Sequence, residues 1–149
     1  VMATFIGDFV CKADAKGRVV LPAAFKKVLE AVGEERFVVK KDLFESCLIL
    51  YPFYEWEKTM EVLRSRINPY NREHARFLRN FQRSSAELIL DGNGRFLIPR
   101  RLMESVNVDK DVVLLGVDQH IELWSVAEYE NHEMSQEEHG LLAEKLLGF

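Results

Sequence analysis

The chain states one sequence twice. Asp14-Ala15-Lys16-Gly17-Arg18-Val19-Val20-Leu21-Pro22 returns as Asp91-Gly92-Asn93-Gly94-Arg95-Phe96-Leu97-Ile98-Pro99. Asp, Gly, Arg and Pro recur in one register (14 to 91, 17 to 94, 18 to 95, 22 to 99), and the run between Arg and Pro is apolar in both. The match continues downstream. Phe25 aligns with Leu102, Val38-Val39 with Val112-Val113, Leu48 to Tyr51 with Ile121 to Trp124, and Glu55-Trp56-Glu57 with Glu128-Tyr129-Glu130. Each copy is too short to bury a good core alone, so two copies are expected to fold as one unit.

Turn chemistry accounts for most of what recurs. Asp14 opens a turn in which its carboxylate can accept backbone N–H groups, and Gly17 suits a positive φ closing a short hairpin. Phe9 to Ala13 reads as the incoming strand and Arg18 to Leu21 as its hairpin partner. Pro22 fits the start of a helix, Phe25, Val28, Leu29 and Val32 form one apolar face, and Gly33 is its stop. Strands follow at 37–40 and 47–51. Trp56, Met60, Leu63 and Ile67 mark a helix that ends before Pro69, and His74, Phe77, Leu78 and Phe81 mark another. The second copy repeats hairpin, helix and strands, and 128–147 reads as a charged amphipathic helical tail with Leu141, Leu142, Leu146 and Leu147 as its apolar positions. The expected divisions are 5–67 for the first repeat with its helix, 68–83 for a helical connector, and 84–149 for the second repeat with its tail.

Enzyme signatures are weak, and the expectation is of no enzyme and no cofactor. Gly92-x-Gly94 lacks the third glycine of a dinucleotide site, and His132-Glu133 has no second His at metalloprotease spacing. His74 and His120 stand singly. Cys11 and Cys47 lie in strand-like runs without metal-ligand spacing, and read as free buried thiols. No apolar run approaches the ~20 residues of a membrane span.

The net charge of −4 argues on its face against nucleic acid, but the distribution does not. Residues 1–41 hold eight Lys and Arg against five Asp and Glu, while the tail is rich in Glu. Arg18, with Lys16 in the turn and Lys12 on the incoming strand, would make a small cationic prong. Such a prong can neutralise phosphates and set a guanidinium against guanine O6 and N7. A salt bridge from Asp14 to Arg18 explains the same residues structurally, and from the residues alone both readings stand open.

The doubled Asp-x-x-x-Arg element, with Phe5-x-Gly7, Leu50-Tyr51-Pro52, Glu55-Trp56-Glu57 and Ile121 to Trp124, resembles the signature of the MraZ family over nearly the whole chain. The resemblance implies an α+β fold: an internally duplicated swapped-hairpin β-barrel of SpoVT/AbrB type with flanking helices. It implies a cytoplasmic, nucleoid-associated transcriptional regulator, a repressor of the division and cell wall gene cluster. Such a protein binds tandem repeats in double-stranded DNA upstream of its own promoter and assembles as a ring of several subunits, with no membrane or small-molecule partner. DNA contact is carried onto Lys12, Asp14, Lys16, Gly17, Arg18 and Arg95. Because Lys16 becomes Asn93 and Lys12 becomes Ile89, the first copy is expected to dominate, with Arg95 a weaker contact or a folding residue. A ring-forming scaffold is the alternative.

Overall fold

The computed structural model describes residues 4–148 and turns the repeated sequence into a repeated run of elements. The first copy contains β1 (Asp8–Lys12), β2 (Arg18–Val20), α1 (Ala23–Val32), β3 (Arg36–Lys41), β4 (Leu48–Pro52) and α2 (Phe53–Arg66), and α3 (Arg72–Arg83) follows. The second contains β5 (Ser85–Ile89), β6 (Arg95–Leu97), α4 (Arg100–Ser105), β7 (Asp111–Val117), β8 (His120–Ser125) and α5 (Val126–Asn131), with α6 (Gln136–Leu147) after it.

The local signals act as their chemistry requires. Pro22 caps α1, and Gly33 ends it at φ +70°, with its N–H bonded to the Glu30 and Leu29 carbonyls. Phe25 and Leu29 are fully buried on the expected stripe. Asn71 caps α3 by accepting the N–H groups of Glu73 and His74. Both cysteines are free, Cys47 buried and Cys11 half-buried. No helix among the described residues is long and apolar enough to cross a membrane.

The strands of the two copies interleave. One antiparallel sheet has the order β1-β7-β8-β4-β3-β5, and β2 pairs with β6 in a separate two-stranded ribbon. The first strand of each copy thus lies against the third strand of the other: β1 on β7, β5 on β3. Two expectations are corrected here. The large sheet has open ends at β1 and β5, so the described ladders close no barrel. The hairpin partner of β1 is not β2 either; only Ala13 and Val19 form a bridge between them. The reason is burial. Val19 and Phe96 face each other at the centre of the ribbon, each 1% exposed, and that pairing carries β2 away from β1.

Alternation along the strands then divides the molecule into three layers. On one side of the sheet, Phe37, Val39, Leu48, Leu50, Val112, Leu114, Ile121 and Leu123 meet the ribbon, α1 and α4 in the main core. On the other, Val38 meets Trp56, Met60 and Phe81 of α2 and α3, while Val113 and Trp124 meet Tyr129 of α5. The helical tail is two helices, broken at 132–135, with Ser125 and Ser135 each accepting an N–H at a helix start. No residue of α6 is buried, and Leu141, Leu142, Leu146 and Leu147 all face solvent.

Lys40, counted with the basic end by composition, is 3% exposed and serves packing instead. Its ammonium donates to the Phe81 carbonyl (3.2 Å) and Ser84 Oγ (2.6 Å), and lies 4.0 Å from the Phe81 ring centroid. It fastens the end of α3 to the sheet. Burial lowers its pKa to about 8 from 10.5. The unfolded chain therefore binds more protons between those values, and stability rises with pH through that window. The gain should approach about 3 kcal/mol. The raised pKa values of Cys11, Cys47, Tyr51 and Tyr129 oppose this rise in the native chain and in Lys40→Met alike. The difference in urea stability between the two should therefore shift toward the native chain from pH 7 to pH 10; an unchanged difference would refute it.

Candidate nucleic-acid interface

Each recurring turn is built round one carboxylate. Gly17 N–H donates to the Asp14 carbonyl (3.0 Å) and Asp14 N–H to the Arg18 carbonyl (3.0 Å), which closes a short loop with Gly17 at φ +86°. Asp14 Oδ1 accepts the N–H groups of Lys16 and Arg18, both at 2.9 Å, and Oδ2 accepts Arg18 Nε at 2.6 Å. The second turn repeats this atom for atom. Asp91 Oδ1 accepts the N–H groups of Asn93 (2.8 Å) and Arg95 (2.9 Å), and Oδ2 accepts Arg95 Nε at 3.0 Å. The Arg18 backbone N–H holds the Asp14 carboxyl below its ordinary pKa, helped by the guanidinium and the Lys16 N–H. Arg95 N–H leads the same effect at Asp91, with Asn93 N–H next. Both aspartates stay ionised and both arginines stay braced.

This geometry answers why Arg recurs. The Nε of each guanidinium buttresses its turn, while its terminal nitrogens, a fork of the geometry that can pair with guanine, have no partner among the described residues. A braced, half-exposed fork is ordered before any ligand arrives, which reduces the cost of fixing it on binding.

The ribbon sets the two forks side by side. Val19 and Phe96 point into the core, so Arg18, Val20, Arg95 and Leu97 point outward. Arg18 lies opposite Leu97 and Arg95 opposite Val20, which makes the arginines diagonal neighbours about 7–8 Å apart at Cα. Val20 and Leu97 lie between them and are 53% and 58% exposed. The result is one face with two guanidiniums and an apolar centre, not two separate prongs.

The expected site residues therefore divide. Asp14, Gly17, Arg18 and Arg95 build this face, and Lys16 projects from the tip of the first turn. Lys12 does not join them. Phe9 and Cys11 face the main core, so Asp8, Val10 and Lys12 face the other way, the side on which Tyr129 Oη donates to Asp8 Oδ2 (2.7 Å). Other features went unread in the sequence. Arg72, Arg76, Arg79 and Arg83 are exposed along α3 at i, i+4, i+7 and i+11, a stripe opposite buried Phe81, and that spacing was visible without a structure. Two of the histidines serve structure: His74 Nδ1 accepts Asn68 N–H (2.9 Å), and His132 Nε2 lies 2.6 Å from Glu45 Oε2. Among the described residues no group of His, Cys, Asp or Glu could hold a metal ion.

Comparison with known proteins bears on the whole chain. A family model described as "MraZ protein, putative antitoxin-like" matches residues 4–80 and 83–145. The chain is 40% identical over 146 residues to the "Transcriptional regulator MraZ" of Bacteroides thetaiotaomicron, across 98% of this chain and 94% of that one. The protein of the same name from Cytophaga hutchinsonii is 38% identical over 147 residues, with 98% and 96% covered. That from Desulfitobacterium hafniense is 40% identical over 135 residues, with 90% of each covered.

Proposed function

The chain belongs to the MraZ family, and on that premise we propose that it is a transcriptional regulator that binds double-stranded DNA in a sequence-specific way through the outward face of the β2–β6 ribbon. The observation that carries this is the pair of Asp-braced arginines on that face, with terminal nitrogens free to meet base edges. Arg18 and Arg95 would enter a major groove together, each able to hold a guanine in bidentate fashion. Lys16 would meet phosphate beside them. Lys12, on the opposite side of the sheet, has no place in this contact. The exchange of first strands between copies supports descent from two SpoVT/AbrB-type units, with repeats at 5–67 and 84–149 joined by 68–83.

We further propose that copies assemble as a ring, that the ring engages tandem repeats upstream of the protein's own promoter, and that occupying this DNA represses the division and cell wall genes. Two surfaces support assembly. Helix α6 carries four exposed leucines with Glu137, Glu138 and Glu144 among them, and a lone helix of 12 residues is marginal in water. The arginine stripe of α3 is complementary in sign. Helices α3 and α5 lie on the same side of the sheet, against opposite ends of it, so the tail of one copy can meet α3 of the next head to tail. A single ribbon makes few contacts and binds weakly, and linked copies on adjacent repeats gain about 10²–10⁴ in avidity. The family's named role is regulation of transcription, not catalysis.

The test is a gel-shift titration against duplex DNA from upstream of the coding sequence, with mass measurement of the free protein. Arg18→Ala should lose specific binding by about fivefold or more, as expected from about 1–3 kcal/mol for a bidentate pair, with mass and circular dichroism unchanged. Arg18→Lys should keep salt-dependent binding but lose preference for the repeats, because an ammonium cannot form the fork. Unchanged repeat binding in Arg18→Ala would overturn the DNA assignment, and a monomer mass for the native chain would overturn the ring.

A further inference from the structure

Each turn is flanked by the helix of the opposite copy. Leu21 N–H donates to the Gly94 carbonyl (2.9 Å), and Ile98 N–H to the Gly17 carbonyl (3.1 Å). Leu21 and Ile98 are the residues just before Pro22 and Pro99, where α1 and α4 begin. The first turn is thereby tied beside the start of α4, and the second beside the start of α1.

The cations at these two junctions come from positions that do not correspond. Beside the first turn, a groove of about 380 Å³ runs between 13–17 and Arg100, Glu104 and Lys110. Beside the second, the Lys26 ammonium stands over Gly94: a Cβ built there would lie 3.8 Å from Lys26 Nζ. At the repeat offset of 77, Arg100 corresponds to Ala23 and Lys26 to Met103. Positions three apart share one helix face, so the two copies reach equivalent places from different starting points. Lys26 and Arg100 are both exposed. Each has a glutamate four residues on, Glu30 and Glu104, yet no ion pair to either is formed.

We propose that Lys26 and Arg100 are phosphate-binding residues flanking the arginine pair, each supplied by the helix of one copy to the turn of the other. Lys26 restores beside the second turn the charge that Lys16 provides in the first and Asn93 does not. The inference rests on the DNA-binding reading above and changes one of its terms. The second half of the face is then a full phosphate-binding half, and its cation comes from the first copy. A compact ammonium suits this task, since a phosphate needs a point charge and not a planar fork. Phosphate contacts set affinity and position without reading sequence.

The test uses the full chain with Lys26→Gln, Arg100→Gln, Arg18→Ala and, as a control, Lys27→Gln, the next residue along α1. Binding to the upstream duplex and to an unrelated duplex of equal length is titrated across salt concentrations. Lys26→Gln and Arg100→Gln should weaken both duplexes by the same factor and lower the slope of log affinity against log salt by about 0.9 per engaged copy. Lys27→Gln should change neither. If Lys26→Gln leaves affinity and slope unchanged while Arg18→Ala abolishes specific binding, the phosphate role is overturned and the DNA reading stands. Equal losses in Lys26→Gln and Lys27→Gln would also overturn it, since the effect would then be one of net charge. If Arg18→Ala and Lys26→Gln both bind as the native chain does, the DNA reading falls with it.

Discussion

Gly116→Ala is expected to cost about 3 kcal/mol or more of stability, enough to unfold much of a marginally stable chain. Gly116 lies in β7, where the chain at Phe5 and Ile6 crosses directly over it. A Cβ at this position would stand 2.5 Å from the carbonyl carbon and oxygen of Phe5 and 2.8 Å from Ile6 N. Those atoms are backbone and are held from both sides. Phe5 N–H donates to the Asp118 carbonyl (2.7 Å), and Gly116 N–H donates to the Gly7 carbonyl (2.8 Å). Phe5 itself is buried edge-on against Phe25, with centroids 5.5 Å apart. Relief of the clash would require this segment to lift and Phe5 to leave the core, and deletion of a buried Phe alone costs about 3–5 kcal/mol. Urea denaturation with far-UV circular dichroism measures the effect. A midpoint within error of the native chain would show that the segment yields freely.

The second large effect runs against simple electrostatics. Asp14→Ala removes a negative charge from a face proposed to meet DNA, and by Coulomb's law alone it should tighten binding. We expect the reverse, a loss of repeat binding of about tenfold to a hundredfold, as when a bidentate base contact is lost. Without the carboxylate, two backbone N–H groups of the turn lose their acceptor and Arg18 Nε loses its brace. The guanidinium then samples many rotamers and must be ordered at the moment of binding. Asp91→Ala should act alike through Arg95, because its bonds are the same. Asp14→Asn separates the two effects: its amide oxygen can still accept a backbone N–H, but the ion pair is gone. Gel shifts on these variants decide the matter. Tighter binding in both alanine variants would mean that the aspartates only oppose DNA, and that the arginines need no brace.

How much of this was legible beforehand depends on the range of the interaction. The turn needed only residues within five positions, so Asp14, Gly17 and the helix start at Pro22 could be read from the chain. The α1 stripe and the stop at Gly33 were equally local. The partner of β2 was not. Pairing with β1 and pairing with β6 are both compatible with the strand's own residues. Only the mutual burial of Val19 and Phe96, 77 residues apart, decides between them. The barrel expectation failed at the same point, since the ribbon that forms there leaves β1 and β5 as open edges. The tail shows the same limit: its leucine pattern marks an apolar side, but the pattern does not say what covers it, and no residue of α6 is buried among the described residues.

The candidate site shows the same division. That Asp, Gly and Arg recur was plain, and so was the loss of Lys16 at Asn93. Read linearly, that loss made the second copy the weaker half. The ladder between β2 and β6 changes the meaning of the same residues, because it places Arg18 and Arg95 on one surface and brings Lys26 across to Gly94. The sequence by itself determined the two turns, since hydrogen bonds from one carboxylate act over a few residues. Only the tertiary structure decided which cations share a face, because long-range strand pairing is set by the burial of side chains distant in the chain, and no local pattern encodes it.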